Sequence, residues 1–324
     1  MIKAQDPAPV VQFSQVVKTY SGNRVVDELS FSVPRGTTFG LLGPNGAGKS
    51  TSLKALMGLL KIDSGRIDLF GEDISKIRQT SGFVPLRQRV GYVSEEHNIY
   101  RWMKVWQAIK FVKSFYTTWN EPLVDELLGA FELDSNRKVS QLSKGMLAKL
   151  SLLLAVGHEP ELLILNEPTS GLDAMIREEF LYGILKSIAD TDRTVIFSSH
   201  SIDDVQRIAD RVALVRGGKL VVDRTVDEIL ASTKRLRAAL KDNTKPAWVP
   251  ESTIWQEVER REWQLTVGDY SPEMLHQFES RNEVESLEVR DLSLEDIFKD
   301  YVRGGRKQST KKNWNSKETS CLAN

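Results

Sequence analysis

Gly43-Pro44-Asn45-Gly46-Ala47-Gly48-Lys49-Ser50 fits the pattern G-x-x-x-x-G-K-S, and it decides the fold of this chain. This phosphate loop follows the apolar run 39–42 and precedes a helical pattern that begins near Thr51. A glycine-rich loop lets several backbone N–H groups converge on phosphate oxygens, while Lys49 adds a positive charge and the Ser50 hydroxyl can ligate Mg²⁺. The N-terminus of the following helix adds about half a positive charge. The sequence therefore predicts a site for a nucleoside triphosphate.

Length and composition narrow the possible classes of protein. A chain of 324 residues exceeds the usual size of a single hydrophobic core, which predicts two domains. The 44 basic and 44 acidic residues cancel, so no bulk positive field favours nucleic acid as a partner. The single cysteine, Cys321, excludes an internal disulfide. No run approaches the roughly 18 apolar residues of a membrane helix, so we expect any membrane association to need a partner.

Polar side chains follow two buried strands in the middle of the chain. Residues 162–165 and 194–197 are continuous apolar runs, the pattern of parallel strands covered by helices on both faces. Asn166-Glu167 follows the first run and Ser198-Ser199-His200 the second. In open α/β sheets, ligands bind beyond the carboxyl ends of the strands. We therefore expect these two strand ends and the phosphate loop to meet at one nucleotide site.

The remaining segments predict the domain organisation. Residues 10–42 read as short strands joined by turns, an antiparallel start to an otherwise parallel protein. Residues 97–160 are mainly helical in pattern. The nucleotide-binding domain is predicted to span 10–224, followed by a small α+β accessory domain at 225–303 and a basic, disordered tail at 304–324. A solvated end is favoured for that tail over contact with anionic lipid or nucleic acid.

Aromatic residues are concentrated in the helical segment, and two interpretations of them are open. Core packing of a helical subdomain is favoured for most, whereas an exposed minority could seat a helix from a partner protein. The set comprises Trp102, Trp106, Phe111, Phe115, Tyr116 and Trp119.

Further motifs in a fixed order carry a resemblance to a known family. Leu142-Ser143-Lys144-Gly145-Met146 is similar to a signature L-S-G-G-Q, residues 162–167 to a Walker B strand, and residues 170–173 to a D-loop. His200 stands at the position of a switch histidine, and Tyr20 where an aromatic ring stacks on adenine. From about residue 11 to 218, the chain resembles the ATP-binding subunit of an ABC transporter. The resemblance implies an α/β P-loop NTPase (RecA-like) core with an antiparallel β subdomain and a helical signature subdomain.

The resemblance also implies roles for individual residues. Glu167 would be the general base that activates water, His200 would bind the γ-phosphate, and Lys49 and Glu95 would complete the catalytic set. Mg²⁺ would be held by Ser50, Glu95 and Asn166. The residues expected to contact ATP are Tyr20, Gly43, Pro44, Asn45, Gly46, Ala47, Gly48, Lys49, Ser50, Thr51, Ser143 and Gly145.

The resemblance implies partners as well. Ser143 and Gly145 would face the nucleotide of a second ATPase subunit, identical or related, so that two chains sandwich two ATP molecules. A separate-chain permease of the exporter type would anchor the dimer as a peripheral complex on the cytoplasmic face of the membrane. The transported substrate and the role of the accessory domain do not follow from the sequence.

Several positions depart from the pattern of the family. Asn166 stands where the Walker B acid is usually Asp, and loss of such a supporting group typically costs about 10- to 100-fold in metal affinity or activity. Glu95 stands in place of a glutamine that ligates Mg²⁺, and its carboxylate can partly restore the charge. Lys144 and Met146 replace a signature glycine and glutamine. With Glu167 retained, we expect a slow ATPase.

Two other classes of ATPase share these motifs. ABC-type translation ATPases carry two cassettes in one chain, and the DNA-repair type separates its motifs by a long coiled coil; this chain shows neither feature. The alternative that stays open is a nucleotide-sensing regulator, in which Asn166 makes ATP a ligand more than a fuel.

Overall fold

The computed structural model describes residues 8–78, 80–188, 192–242, 246 and 248–309. The chain divides after Val226 into two compact units, which are described separately below. The strands are β1 Val11–Tyr20, β2 Asn23–Val33, β3 Thr38–Leu42, β4 Ser64–Leu69, β5 Glu72–Asp73, β6 Val90–Val93, β7 Leu162–Asn166, β8 Thr194–Ser199, β9 Arg211–Arg216, β10 Lys219–Thr225, β11 Lys234–Leu240, β12 Thr253–Glu259, β13 Glu262–Val267 and β14 Val284–Asp291. The helices are α1 Lys49–Leu56, α2 Ile74–Ile77, α3 Phe83–Gln88, α4 Val105–Lys113, α5 Glu121–Ala130, α6 Lys144–Val156, α7 Ala174–Ile188, α8 Ile202–Ile208, α9 Val226–Ser232, α10 Pro272–Glu279 and α11 Leu294–Ser309, with a 3-10 turn at Val139–Gln141.

A mostly parallel sheet of six strands forms the centre of the first unit, in the order β10-β9-β3-β8-β7-β6. All five residues of β3 and β7 and all six of β8 are buried, as the continuous apolar runs predict. In the register of the sheet, Leu42 pairs with Ser199 and Asn166 with Ser198. The carboxyl ends of β3, β7 and β8 therefore meet at one edge, which confirms the expectation from the sequence.

A second sheet of four antiparallel strands, in the order β2-β1-β4-β5, forms the predicted β subdomain. Its aromatic side chains join the core of the parallel sheet: the ring of Phe31 stacks on Phe13 at 4.4 Å and on Phe39 of β3 at 5.5 Å. Burial of aromatic rings contributes a large share of core stability. This contact ties the β subdomain to the strand that leads into the phosphate loop.

The helical segment contains α4, α5 and α6. The apolar helix α6 is mostly buried, and Ser143 caps its start by accepting a hydrogen bond from the Met146 N–H at 3.2 Å. The prediction that most of the aromatic set packs in the core is wrong, because four of its six members are exposed. Aliphatic side chains of α4, namely Val105, Ala108 and Ile109, fill the interior instead and turn the aromatic rings outward.

The second unit is an antiparallel sheet in the order β12-β13-β11-β14 with α10 and α11. Trp263 and Phe278 form the centre of its core, with ring centroids 5.5 Å apart. Helix α11 continues to Ser309, so the prediction that a disordered tail starts at residue 304 is wrong in its boundary. Acidic residues in the first turn and an ion pair between Glu295 and Lys299 at 2.7 Å favour the helix. Residues 310–324 lie outside the described part of the chain.

None of the helices that the structure describes is long and apolar enough to cross a membrane.

Candidate nucleotide site

The phosphate loop needs glycine at positions where the backbone approaches other strands. Gly43 has a φ of 155°, and a Cβ atom there would lie 2.2 Å from the Val215 carbonyl oxygen. Gly48 has a φ of 101°, and its Cβ would lie 2.5 Å from the Val25 carbonyl oxygen. Both backbone conformations are rare for residues with a side chain. The glycines of the motif therefore let the loop fold tightly between β3 and α1.

Lys49 lies under the loop and contacts both its backbone and the end of β7. The side chain is buried, and its Nζ donates a hydrogen bond to the Gly43 carbonyl oxygen at 2.6 Å. The same Nζ lies 3.0 Å from Oε1 of Glu167, which is also buried. A buried ion pair is stable only when both charges are well partnered. The lysine therefore connects the loop directly to the predicted general base.

Glu167 is held by contacts on both its side chain and its backbone. Its Oε2 lies 2.8 Å from Nδ1 of His200, and its backbone N–H donates to Oγ of Ser198 at 3.0 Å. Its φ of 47° lies in the left-handed region, which a residue with a side chain adopts only when its surroundings impose it. The end of β7 is therefore shaped to hold this carboxylate between Lys49 and His200.

Asn166 lies directly behind the loop and accepts two hydroxyl hydrogen bonds. Its Oδ1 accepts from Oγ of Ser50 at 2.9 Å and from Oγ of Ser198 at 3.0 Å. Ser198 lies at the end of a strand that the sequence predicts, but the sequence predicts no role for its hydroxyl. The signal that could have identified Ser198 is its hydroxyl at the end of a buried apolar strand. Burying a hydroxyl there costs free energy unless the hydroxyl has a hydrogen-bond partner.

A cavity of about 250 Å³ opens at this edge of the sheet. It is lined by Val25, Asn45, Gly46, Ala47, Gly48, Lys49, Ser50, Thr51, Glu95 and Glu167. The fold thus brings together most of the phosphate loop, Glu95 and Glu167, as the sequence predicts. Pro44 meets the site through its carbonyl oxygen, 3.4 Å from the Lys49 ammonium nitrogen.

Besides Gly43 and Pro44 of the loop, three predicted nucleotide contacts do not line this cavity. Tyr20 lies at the end of β1 with its side chain exposed, and the Lys18 ammonium nitrogen is 5.3 Å from the centre of its ring. Ser143 and Gly145 lie at the start of α6. The resemblance assigns those two to the nucleotide of a second subunit, and all three roles stay predictions.

The donor set of the site fits a hard divalent cation. The Ser50 hydroxyl and the Glu95 carboxylate line the same cavity, and the Asn166 amide oxygen is hydrogen-bonded to Ser50. Oxygen ligands of this kind suit Mg²⁺, which usually keeps several waters and substrate phosphates in its coordination shell. The described residues contain no cluster of three His, Cys, Asp or Glu side chains that could hold a metal alone. Phosphate oxygens would therefore complete the site.

A second cavity of about 310 Å³ lies between β6, the segment after it, α4 and α6. Three buried polar atoms among its lining residues have no hydrogen-bond partner, namely the Tyr92 hydroxyl oxygen, Nδ1 of His97 and Oγ of Ser151. Burial, with a smaller contribution from the Lys144 charge, lowers the pKa of His97 to about 4, so this ring is neutral at physiological pH. Four exposed aromatic rings surround the cavity or lie beside it, those of Tyr100, Trp102, Phe111 and Phe115. We call this cavity and its four rings the aromatic groove.

Comparison with known proteins agrees with this geometry. The family described as ABC transporter matches residues 26–170. The uncharacterized ABC transporter ATP-binding protein YhaQ of Bacillus subtilis is 30% identical over 302 residues, which cover 90% of this chain and 98% of YhaQ. The Nod factor export ATP-binding protein I of Burkholderia pseudomallei is 36% identical over 219 residues, covering 66% of this chain and 70% of that protein. A solved structure of an ATP-binding subunit of an ABC transporter superposes with a TM-score of 0.60 at 25% identity, covering 68% of this chain and 92% of the other. Because the family match contains the phosphate loop and the similarity to YhaQ extends over nearly the full length of that protein, this chain belongs to the ABC transporter family, among its ATP-binding proteins.

Proposed function

We propose that this chain hydrolyses ATP with Glu167 as its general base, as one half of an ATPase dimer that drives export through a separate membrane permease. ATP binding and ATP-driven work on a transporter follow from membership of the family. The roles of individual residues, Mg²⁺, the dimer, the separate permease and the direction of transport are the proposal. The observation that carries it is the buried Glu167 carboxylate, fixed between Lys49 at 3.0 Å and His200 at 2.8 Å.

The three side chains divide the work of hydrolysis. Lys49 lies under the loop, where its charge can stabilise the β- and γ-phosphates. Glu167 can accept a proton from the attacking water, because its carboxylate borders the phosphate cavity. His200 holds one carboxylate oxygen and remains half exposed, so it can also reach the γ-phosphate. Little covalent chemistry is required of the protein, and positioning with charge stabilisation supplies most of the rate.

The metal would be held through Ser50 and Glu95, with Asn166 orienting the Ser50 hydroxyl. Bound Mg²⁺ would neutralise charge on the phosphate oxygens. Asn166 offers an oxygen to its two hydroxyl partners but no negative charge, so Glu95 supplies the charge on this side of the cavity. We infer a weaker metal site and slower turnover than an aspartate at position 166 would give.

The start of α6 supports an ATP-dependent dimer. Ser143 and Lys144 at the start of α6 are exposed, and the helix dipole favours an anion near this first turn. These residues do not line the nucleotide cavity of their own chain, which supports a second subunit as the source of the nucleotide that they contact. Two chains would then hold two ATP molecules, and hydrolysis would let the halves separate.

The aromatic groove supports a separate permease. Exposed aromatic clusters mark protein interfaces, and the unpartnered atoms of His97 and Ser151 require hydrogen bonds from whatever fills the cavity. We propose that a short amphipathic segment of a membrane permease fills it, which would place the complex on the cytoplasmic face of the membrane. The export direction is supported by the similarity to the Nod factor export ATP-binding protein of Burkholderia pseudomallei.

The test is Mg²⁺-dependent ATP hydrolysis by the purified chain over a range of protein concentrations. We expect a rate that rises more than linearly with concentration and disappears in Glu167→Gln. Glu178→Gln is the matched control, because Glu178 is an exposed carboxylate on α7 that pairs with Arg207 at 3.2 Å. If the chain binds ATP but neither it nor Asn166→Asp hydrolyses it with the permease present, the nucleotide-sensing alternative replaces this proposal.

A further inference from the structure

Asp204 is a buried carboxylate that joins three elements near the nucleotide site. It lies on α8 and is 1% exposed. Its Oδ2 accepts a hydrogen bond from Oγ1 of Thr169 at 2.8 Å, in the segment after β7. Its Oδ1 lies 3.6 Å from Nη1 of Arg177 on α7. Charged groups are rarely this buried unless their partners are fixed, so the three residues form one structural unit.

The two partners of Asp204 lie on either side of the D-loop, residues 170–173. Thr169 comes directly before this loop, and Arg177 lies in the first turn of the helix that follows it. Inside the loop, Leu172 N–H donates to the Thr169 carbonyl oxygen at 3.1 Å, and Arg177 N–H donates to the Asp173 carbonyl oxygen at 3.0 Å. Asp204 therefore contacts the residues that flank both ends of the D-loop, which backbone hydrogen bonds already stabilise.

The same two chain segments are joined by the catalytic pair. Glu167 precedes Thr169 by two residues, and His200 precedes Asp204 by four. The contact between His200 and Glu167 is 2.8 Å long, and so is the contact between Asp204 and Thr169. With two contacts between the segments, a shift of α8 relative to the D-loop would change the geometry of both.

We propose that Asp204 is a positioning residue for ATP hydrolysis. By binding Thr169 and Arg177 on either side of the D-loop, it keeps His200 and Glu167 at the distance that their contact requires. This inference rests on the proposed function, since it assigns Glu167 and His200 to the reaction. Asp204 is absent from the residues that line the nucleotide cavity, so it acts on the reaction only through its partners. A displacement of about 1 Å at a reacting group can lower a rate by about 100-fold.

The experiment compares hydrogen exchange of the D-loop with steady-state kinetics in the full-length chain. Thr169→Val removes the hydroxyl and keeps the shape of the side chain, whereas Thr169→Ser restores the hydroxyl. Asp204→Asn removes the charge that faces Arg177. The matched control is Arg207→Gln, since Arg207 also joins α8 to α7, but through an exposed pair with Glu178.

We expect the amides of residues 170–173 to exchange about tenfold faster in Thr169→Val and Asp204→Asn, with kcat reduced about 10- to 100-fold and KM for ATP changed less than about threefold. Thr169→Ser should recover most of the rate and protection, and Arg207→Gln should match the wild type. Unchanged exchange in Thr169→Val, or faster exchange with unchanged kcat, overturns the proposal. If the wild-type chain hydrolyses no ATP, the proposed function fails separately. The hydrogen-exchange comparison then tests by itself whether Asp204 and Thr169 stabilise the D-loop, because hydrogen exchange can be measured without ATP turnover.

Discussion

Acidification should destabilise this protein through His158, a histidine held neutral inside the first unit. The side chain is 1% exposed, and its Nε2 lies 3.2 Å from the Val90 carbonyl oxygen. Its ring stacks on Tyr116 with centroids 3.7 Å apart. Burial lowers the pKa of His158 from 6.5 to about 4, and the Val90 carbonyl only partly opposes this effect. The folded protein therefore resists a proton that the unfolded chain accepts.

The sign and size of the effect follow from this difference in pKa. Above pH 6.5 neither state binds the proton, and the contribution of His158 to stability is fully present. Between pH 6.5 and about 4, His158 is protonated only in the unfolded state. The free energy of unfolding therefore decreases as the pH is lowered through this window. Each pH unit in this window costs about 1.4 kcal/mol per histidine, which amounts to about 2 kcal/mol between pH 7 and pH 5.

The assay is denaturant unfolding of the wild type and of His158→Gln at pH 7, 6 and 5. Glutamine can donate to the Val90 carbonyl oxygen but does not titrate. We expect the variant to be less stable at pH 7, since it loses the stacked ring, and to lose about 2 kcal/mol less than the wild type on going to pH 5. His276→Gln, at an exposed position of α10, is the control for replacing a histidine without removing a buried one. Equal losses in the wild type and His158→Gln would refute the reasoning.

Three further predictions concern the nucleotide site and the start of α6. Asn166→Asp should lower the Mg²⁺ concentration for half-maximal ATPase activity about 10- to 100-fold, measured by metal titration, because a carboxylate would replace the neutral acceptor of Ser50. Glu95→Gln should raise that concentration, and it should do so less in the Asn166→Asp background; an identical metal requirement in Glu95→Gln would remove Glu95 from the metal site. Gly145→Ala should cost about 1–3 kcal/mol in denaturant unfolding, since its Cβ would lie 2.5 Å from Cγ2 of Ile176. Ile176→Ala in the same chain should recover part of that loss, whereas additive effects would show that the contact is not the cause.

The arrangement of the phosphate loop, Asn166, Glu167 and His200 could be predicted because each lies at the end of an apolar strand. Parallel strands align their carboxyl ends, so the order of motifs along the chain already implied a common edge. The conformation of the loop also followed from its glycines. What the sequence could not show was the pairing of side chains across that edge, such as the contact of Lys49 with Glu167.

Other features depended on information that a single sequence lacks. The bond between Thr169 and Asp204 joins residues 35 apart, and it exists only because α8 packs beside the D-loop. Exposure of Trp102 and Phe115 could not be read from their residue types, since aromatic side chains are usually buried and only the packing of α4 and α6 turns them outward. The basic composition after residue 304 is typical of disorder, whereas α11 continues to Ser309.

The turn after β6 has a consequence for redesign. Glu95 points into the nucleotide cavity, whereas Ser94 and His97 line the aromatic groove, and the turn is closed by a hydrogen bond from the His97 N–H to the Ser94 carbonyl oxygen at 3.2 Å. An insertion or deletion here would move Glu95 together with its neighbours. Exchanging side chains at fixed backbone length is therefore the change that can reshape the aromatic groove without moving Glu95.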